Sequence, residues 1–171
     1  MRPMVGRWKR DRYESASPRE MYRNLRSMAL EAAVSGRVPF HANHPEVFGL
    51  LADIPAQGGH ATVVSLGDDT TNVYTSTGGG TIGAGEHPTV AAATQNLLDL
   101  VQAHLDAFAT VDDGALPSQG WVRLHVLTET MVRRADVSEE AFWGKAPDPL
   151  MPVIAAVQDL VARIREATSS S

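Results

Sequence analysis

The chain has 171 residues, of which 43% are hydrophobic and 20% are charged, and its formal net charge is −5 at pH 7. This length and composition are typical of one globular domain, and the apolar runs are too short to cross a bilayer. Because the sequence contains no cysteine, disulfides, thiolate nucleophiles and cysteine-based metal sites are excluded. The basic N-terminus lacks the apolar stretch of a secretory signal, so we predict a cytoplasmic protein without a membrane segment.

Charge is distributed unevenly along the chain. The first 17 residues carry five basic and two acidic side chains, a net charge of +3, which leaves −8 for the remainder. A nucleic-acid-binding domain needs a positive face, so we predict no nucleic-acid partner. We expect a flexible basic arm over residues 1–16, a single α+β domain over 17–168 and a frayed tail over 169–171.

Two helices are predicted before the first strand. Ser17-Pro18-Arg19-Glu20 is a capping box with proline at the first helical position, and Gly36 is the predicted stop of this helix. Its expected core stripe consists of Met21, Leu25, Met28 and Ala32, with Tyr22, Ala29 and Ala33 beside it. A second start at Asn43-His44-Pro45-Glu46 predicts a short helix over Pro45–Ala52.

Two antiparallel hairpins are predicted further along. His60–Leu66 and Thr70–Thr77 are rich in strand-forming residues and are joined by Gly67-Asp68-Asp69. These aspartates suit a turn through local backbone hydrogen bonds, and a cation site is the alternative. The second hairpin combines Trp121–Leu127 with Thr130–Asp136.

The remaining elements are helical. Pro88–Ala109 is predicted to be the longest helix, followed after the second hairpin by a helical turn over Glu139–Trp143 and a last helix over Pro149–Ala167. The inward-facing residues of that last helix are expected to be Leu150, Ile154, Val157, Val161 and Ile164.

Together these elements predict an α+β fold. A four- or five-stranded antiparallel sheet, built from two hairpins, is covered by two long helices, with one or two extra N-terminal helices. This plan resembles the profilin, longin and roadblock group, whose members often act as dimeric scaffolds or regulators of small GTPases. The resemblance lies in topology, and function does not follow from topology.

A glycine-rich segment joins the first hairpin to the longest helix. Five of the eight residues from Gly78 to Gly85 are glycine, which indicates backbone shapes or close approaches that side chains would block. Gly78-x-Gly80-x-x-Gly83 matches the letters of the dinucleotide fingerprint, but its preceding strand belongs to a hairpin instead of a parallel βαβ unit. The absence of a following Gly-Lys-Ser/Thr excludes a P-loop.

Three interpretations of this segment remain open: a structural crossing, an anion site at a helix N-terminus, and a partner-binding or mobile lid loop. Glu86 already complements the dipole at this helix start. The candidate ligand-binding residues are Gly78, Gly79, Gly80, Thr81, Gly83, Glu86 and His87.

No motif points to catalysis or to a metal. The histidines, including His41, His44 and His125, lack metal-binding spacing, and the strand serines Ser65 and Ser76 lie outside a nucleophile elbow. We therefore predict no catalytic residues, no metal and no cofactor.

The stretch Tyr74-Thr75-Ser76-Thr77-Gly78-Gly79-Gly80-Thr81-Ile82-Gly83-Ala84-Gly85-Glu86-His87 resembles a segment of small uncharacterised bacterial proteins. That resemblance implies a bacterial origin and no particular activity. We predict a non-catalytic interaction or regulatory module that binds a protein partner or self-associates as a homodimer. The alternative is a small-molecule or anion-binding protein, conceivably an enzyme, whose site is the loop 78–85 and the start of helix 88–109.

Overall fold

The structure, a computed structural model, describes residues 17–32, 38, 41–110 and 113–169. Its helices are α1 (Pro18–Glu31), α2 (Pro88–Ala103), α3 (Glu139–Phe142) and α4 (Met151–Ser169). Its strands are β1 (Gly49–Ala56), β2 (Gly59–Leu66), β3 (Thr71–Thr75), β4 (Gly80–Thr81), β5 (Trp121–Leu127) and β6 (Val132–Ser138). Within the described ranges, no helix is both long and apolar enough to cross a membrane.

The six strands form one antiparallel sheet in the order β4-β3-β2-β1-β5-β6. Both predicted hairpins are present, as β2–β3 and β5–β6. The predicted α+β class is therefore confirmed, whereas the predicted count of four or five strands is too low. The additional strands are β1 and the two-residue β4.

The predicted helix over Pro45–Ala52 is wrong, because this part of the chain enters an interior strand. β1 pairs with β2 along its whole length and with β5 over Gly49–Asp53. Its first six residues are all buried, so its apolar residues run consecutively without the alternation of a half-exposed strand. A short apolar run of this kind does not distinguish a strand from a buried helix.

The sheet separates two layers of helices. α2 and α4 share one face, where they pack with alternate strand residues that include Leu50, Ala52, Val63, Val122 and Leu124. α1 covers the opposite face, where Tyr22 and Ala29 pack with Leu51, Val64 and Leu127. The two long helices therefore form one layer, as predicted, and the N-terminal helix forms the other.

Several helix ends differ from the predicted ones. α2 stops at Ala103, and a 3-10 turn over Leu105–Ala107 follows it. α4 begins at Met151, and in it Leu160 is completely buried while the predicted core residue Val161 is only half-buried. The predicted stop of α1, Gly36, lies outside the described residues.

The face that α1 turns toward the sheet is displaced from the predicted one. The Ser17–Glu20 capping box is present, but the buried positions are Tyr22, Arg26 and Ala29. Met21 and Met28, predicted to be core residues, are 36% and 46% exposed. The displacement arises because Arg26, between Tyr22 and Ala29 along the helix, turns toward the sheet and leaves Met21 and Met28 exposed.

Candidate functional site

Five polar side chains meet between α1 and the sheet, and we call them the charge cluster. Its members are Tyr22 and Arg26 of α1, Asp53 of β1, Thr62 of β2 and His125 of β5. The strand register places Asp53 directly beside Thr62. Asp53, Thr62 and His125 expose no surface. The charge cluster is therefore enclosed between the helix and the sheet.

The Asp53 carboxylate accepts four hydrogen bonds. Arg26 Nε and Thr62 Oγ1 donate to Oδ1 at 3.1 and 2.7 Å. Arg26 Nη2 and His125 Nε2 both donate to Oδ2 at 2.6 Å. Because the Thr62 hydroxyl uses its proton on Asp53, the Tyr22 hydroxyl must donate in the 2.7 Å bond between the two side chains. Every polar contact of this carboxylate thus comes from a donor.

These donors determine the charge state of Asp53. Burial raises the pKa of its carboxyl group, but the hydrogen bonds and positive charges of His125 and Arg26 outweigh that effect and lower the pKa to about 2. Burial also raises the pKa of the Tyr22 hydroxyl, so this group keeps its proton at neutral pH. The charge cluster consequently holds a charged carboxylate and a protonated phenol.

Two arginines attach the segment that precedes β5. Arg26 Nη1 donates to the Gly114 carbonyl oxygen at 2.6 Å. Arg123 Nη1 donates to the carbonyl oxygens of Ala115 and Leu116 at 3.0 and 3.1 Å. Arg26 therefore joins α1, β1 and this loop through a single side chain.

A buried Asp–His pair suggests acid–base chemistry, but a general base must reach a proton of its substrate. Asp53 and His125 have no exposed surface, and the acceptor sites of the carboxylate are occupied. In this arrangement the charge cluster anchors α1 to the sheet. Sequence reasoning missed it, although an arginine within the apolar face of α1 and an aspartate within the apolar run Leu50–Ile54 were its signals.

The glycine-rich segment folds back along β3 and crosses the backbone closely. Gly78, Gly79, Gly80 and Gly83 all have positive φ angles. A Cβ atom placed on Gly80 would lie 2.1 Å from the carbonyl oxygen of Val73. These geometries support the structural interpretation, because a side chain at this crossing would collide with the neighbouring strand.

The predicted polar ligand-binding side chains lie on β4 and at the turn that leads into α2. Thr81 is half-buried in β4, and Glu86 and His87 are exposed. Within the described residues, no hydrogen bond or ion pair connects these three side chains. The backbone N–H of Gly83 already donates to Asn72 Oδ1 at 2.8 Å. Ligand binding by this segment stays a prediction.

The histidines that could have served a metal have other contacts. The rings of His41 and His44 stack with centroids 4.2 Å apart. The ring nitrogens of His44 lie 2.7 Å from the Val47 carbonyl oxygen and 2.8 Å from Gln95 Oε1. Among the residues whose placement is described, no three His, Asp or Glu side chains are positioned to hold a metal ion.

An apolar groove of about 170 Å³ lies between α1 and the glycine-rich segment, and we call it the α1 groove. Its lining residues are Pro18, Met21, Tyr22, Leu25, Tyr74, Thr75, Gly78 and Gly79. Met28 lies seven residues beyond Met21 and so continues the same side of the helix. Met21 and Leu25 of the apolar stripe predicted for the core therefore line a groove, whereas Ala32 of the same stripe is buried.

The fold and these contacts define an α+β domain that has a sealed charge cluster and an open apolar groove. Comparisons of the chain with protein-family models, with curated proteins and with solved structures found no match in any of the three.

Proposed function

We propose that this chain is a non-catalytic interaction module that binds an apolar segment of a protein partner in the α1 groove. The orientation of α1 carries the proposal. Arg26 turns toward the sheet, and the apolar stripe of Met21, Leu25 and Met28 is left at the groove and in solvent. Methionine side chains adapt to differently shaped partners and are frequent at such surfaces.

The arrangement of polar groups favours binding over catalysis. The Asp53–His125 pair has the composition of an acid–base site but is sealed beneath α1. Within the described residues, no hydrogen bond or ion pair joins the exposed candidates Glu86 and His87 to Thr81. Binding through apolar contacts requires neither the Asp53–His125 pair nor the exposed polar candidates.

The chemistry of the surface indicates the kind of segment that fits. Among the described residues, no charged side chain lines the α1 groove, so the contact inside it is made by an apolar anchor residue. The proposed partner segment therefore presents an apolar side chain to the groove.

The sheet edges give less support for partner binding than the groove does. β4 offers only two residues at one edge. At the other edge, Ala109 and Arg134 exchange two backbone hydrogen bonds of 2.8 and 2.9 Å. A short edge strand limits edge pairing, and at the other edge Arg134 is already paired.

Site-specific capture tests the proposal. A photo-reactive amino acid replaces Met28 beside the groove, and in a control protein it replaces Met131, which is 39% exposed on another part of the surface. We expect a discrete protein to cross-link at position 28 and not at position 131. Met21→Glu should abolish this product, and Met131→Glu should leave it unchanged. Cross-linking that is equal at both positions, or indifferent to Met21→Glu, would overturn the proposal.

A further inference from the structure

We infer that α1 undocks from the sheet as a unit of its own, while the strands, α2 and α4 stay folded, and that the partner segment binds only to the docked form. The first part rests on how α1 is attached to the sheet. The second part rests on the proposed function, because it concerns the α1 groove, and it adds the regulation of that site.

The apolar contacts of α1 are separate from the main core. α2 and α4 pack on the other face of the sheet, in a core cluster that includes Leu97, Val157 and Leu160. α1 packs in a second cluster, to which the helix contributes the buried apolar residues Tyr22 and Ala29. Because hydrophobic stabilisation follows the apolar area that is buried, a helix with one large buried apolar side chain gains little from it. Undocking of α1 therefore leaves the main core intact.

The charge cluster supplies the rest of the attachment. Arg26 donates to both carboxylate oxygens of Asp53, and the Tyr22 hydroxyl donates to Thr62 Oγ1 at 2.7 Å. Among the described residues, no backbone hydrogen bond joins α1 to a strand, whereas β1 is hydrogen-bonded to a neighbouring strand on each side. Undocking also lets water reach the two charges, which offsets part of the lost ion pair. The free energy of undocking is therefore well below that of unfolding the sheet.

The α1 groove exists only while α1 is docked. Four of its eight lining residues belong to the helix: Pro18, Met21, Tyr22 and Leu25. A segment that fills the groove binds the docked form alone, so binding shifts the population toward that form. A substitution that weakens the charge cluster therefore weakens partner binding, even at Thr62, which does not line the groove.

Native-state hydrogen exchange of the full-length protein in low concentrations of urea tests the inference. After correction for intrinsic rates, we expect the amides of residues 22–31 to exchange roughly 100-fold faster than the slowest amides of β1. Their exchange should also depend less on urea, because undocking exposes less surface than unfolding. Leu160→Ala removes a side chain from the main core, so it should accelerate exchange in β1 by roughly 100-fold and leave the α1 amides unchanged. Amides of α1 and β1 that exchange with one free energy, and that respond equally to Leu160→Ala, would overturn the inference.

A matched pair of threonine variants tests the role of the charge cluster. Thr62→Val removes the hydroxyl that lies between Tyr22 and Asp53 and should accelerate exchange of the α1 amides roughly 10-fold. Thr94→Val removes an equally buried hydroxyl that contacts Thr71 at 2.7 Å, and it should leave the α1 amides unchanged. Equal exchange of the α1 amides in the two variants would overturn the role of the cluster.

Capture at position 28 separates the inference from the proposed function. We expect Thr62→Val to lower the yield of this cross-link and Thr94→Val to preserve it. A yield that persists while α1 exchange accelerates would overturn the link between docking and binding. If the cross-link depends on Met21 but α1 exchanges together with the sheet, only the inference fails. If α1 undocks separately but nothing cross-links at position 28, the proposed function fails instead.

Discussion

The Arg26 guanidinium and the Asp53 carboxylate form a two-point ion pair between α1 and the interior strand β1, with Nη2 2.6 Å from Oδ2 and Nε 3.1 Å from Oδ1. Their side chains are 10% and 0% exposed. Burying two charges is costly, and the cost is offset here by the hydrogen bonds that surround both groups. Removing Arg26 leaves the Asp53 charge buried with only the hydrogen bonds from Thr62 and His125.

Loss of the arginine should therefore destabilise the fold strongly. We expect Arg26→Met to lower the free energy of unfolding by about 3 kcal/mol, because it leaves Asp53 charged and enclosed. Urea unfolding followed by circular dichroism measures this change. The control is Arg23→Met, since Arg23 is exposed on the same helix and its loss should change stability by less than about 0.5 kcal/mol. Equal effects of the two substitutions would contradict the anchoring role of Arg26.

The ion pair also predicts how stability depends on pH. The pKa of Asp53 falls from 3.8 to about 2 on folding, so its contribution is complete above the unfolded value and disappears as pH falls through the folded one. The expected loss between about pH 4 and pH 2 is about 2 kcal/mol. Urea unfolding at a series of pH values measures it, and Asp53→Asn should lack this component. An unchanged pH profile in the asparagine variant would assign the loss to other carboxylates.

The loss of stability caused by glycine-to-alanine substitutions in the glycine-rich segment should depend on how close each glycine lies to the neighbouring backbone. Gly80 combines a φ of +143° with a backbone oxygen 2.1 Å from any added Cβ, whereas Gly79 has a φ of +84° and nothing within 4 Å. We expect Gly79→Ala to destabilise by roughly 1 kcal/mol and Gly80→Ala by clearly more. Gly83→Ala, with a φ of +78° and no close contact, should resemble Gly79→Ala.

The polar residues of the same segment provide the contrast. Thr81→Ala, Glu86→Ala and His87→Ala should change the midpoint of thermal unfolding little if the segment is structural. A thermal-shift screen with phosphate and nucleotides tests the ligand-binding alternative. A reproducible shift in the parent that disappears in folded Thr81→Ala or His87→Ala protein would favour that alternative.

The packing of α4 can be checked with two adjacent residues. Leu160 exposes no surface, and its truncation to alanine should cost about 3 kcal/mol, within the range for buried leucine. Val161 is half-buried beside the same core, so Val161→Ala should cost about 1 kcal/mol or less. Thermal or urea unfolding of both variants gives the comparison. A larger effect at Val161 would mean that the helix is rotated about its axis.

Much of the fold followed from local sequence signals. The Ser17–Glu20 capping box, the turn at Asp68 and the apolar spacing within α2 each depend on residues a few positions apart. Thr70 N–H donates to Asp68 Oδ1 at 3.0 Å, which is the local bond that suits aspartate to a turn. Interactions of this range are visible in a single sequence, so the starts of α1 and α2 and the turn between β2 and β3 were predicted correctly.

The identity of β1 was not predictable in the same way. Its run Leu50–Ile54 is buried on both faces because β2 and β5 flank it and helices cover both sides of the sheet. β2 follows β1 directly in the chain, but β5, on its other side, lies more than sixty residues further along. A run that is apolar except for Asp53 shows neither the strand period nor the helix period, and only the assembled sheet decided between helix and strand.

The orientation of α1 was decided in the same way. The amino-acid sequence determined by itself that residues from Pro18 onward form an amphipathic helix, because capping and helical spacing are local properties. Which stripe faces the core depended on Asp53, 27 residues from Arg26, and on His125, which donates to the same Asp53 carboxylate. Those distant partners stabilise the buried arginine. With Arg26 facing the sheet, Met21 and Met28 lie outside the core, and Met21 lines the α1 groove.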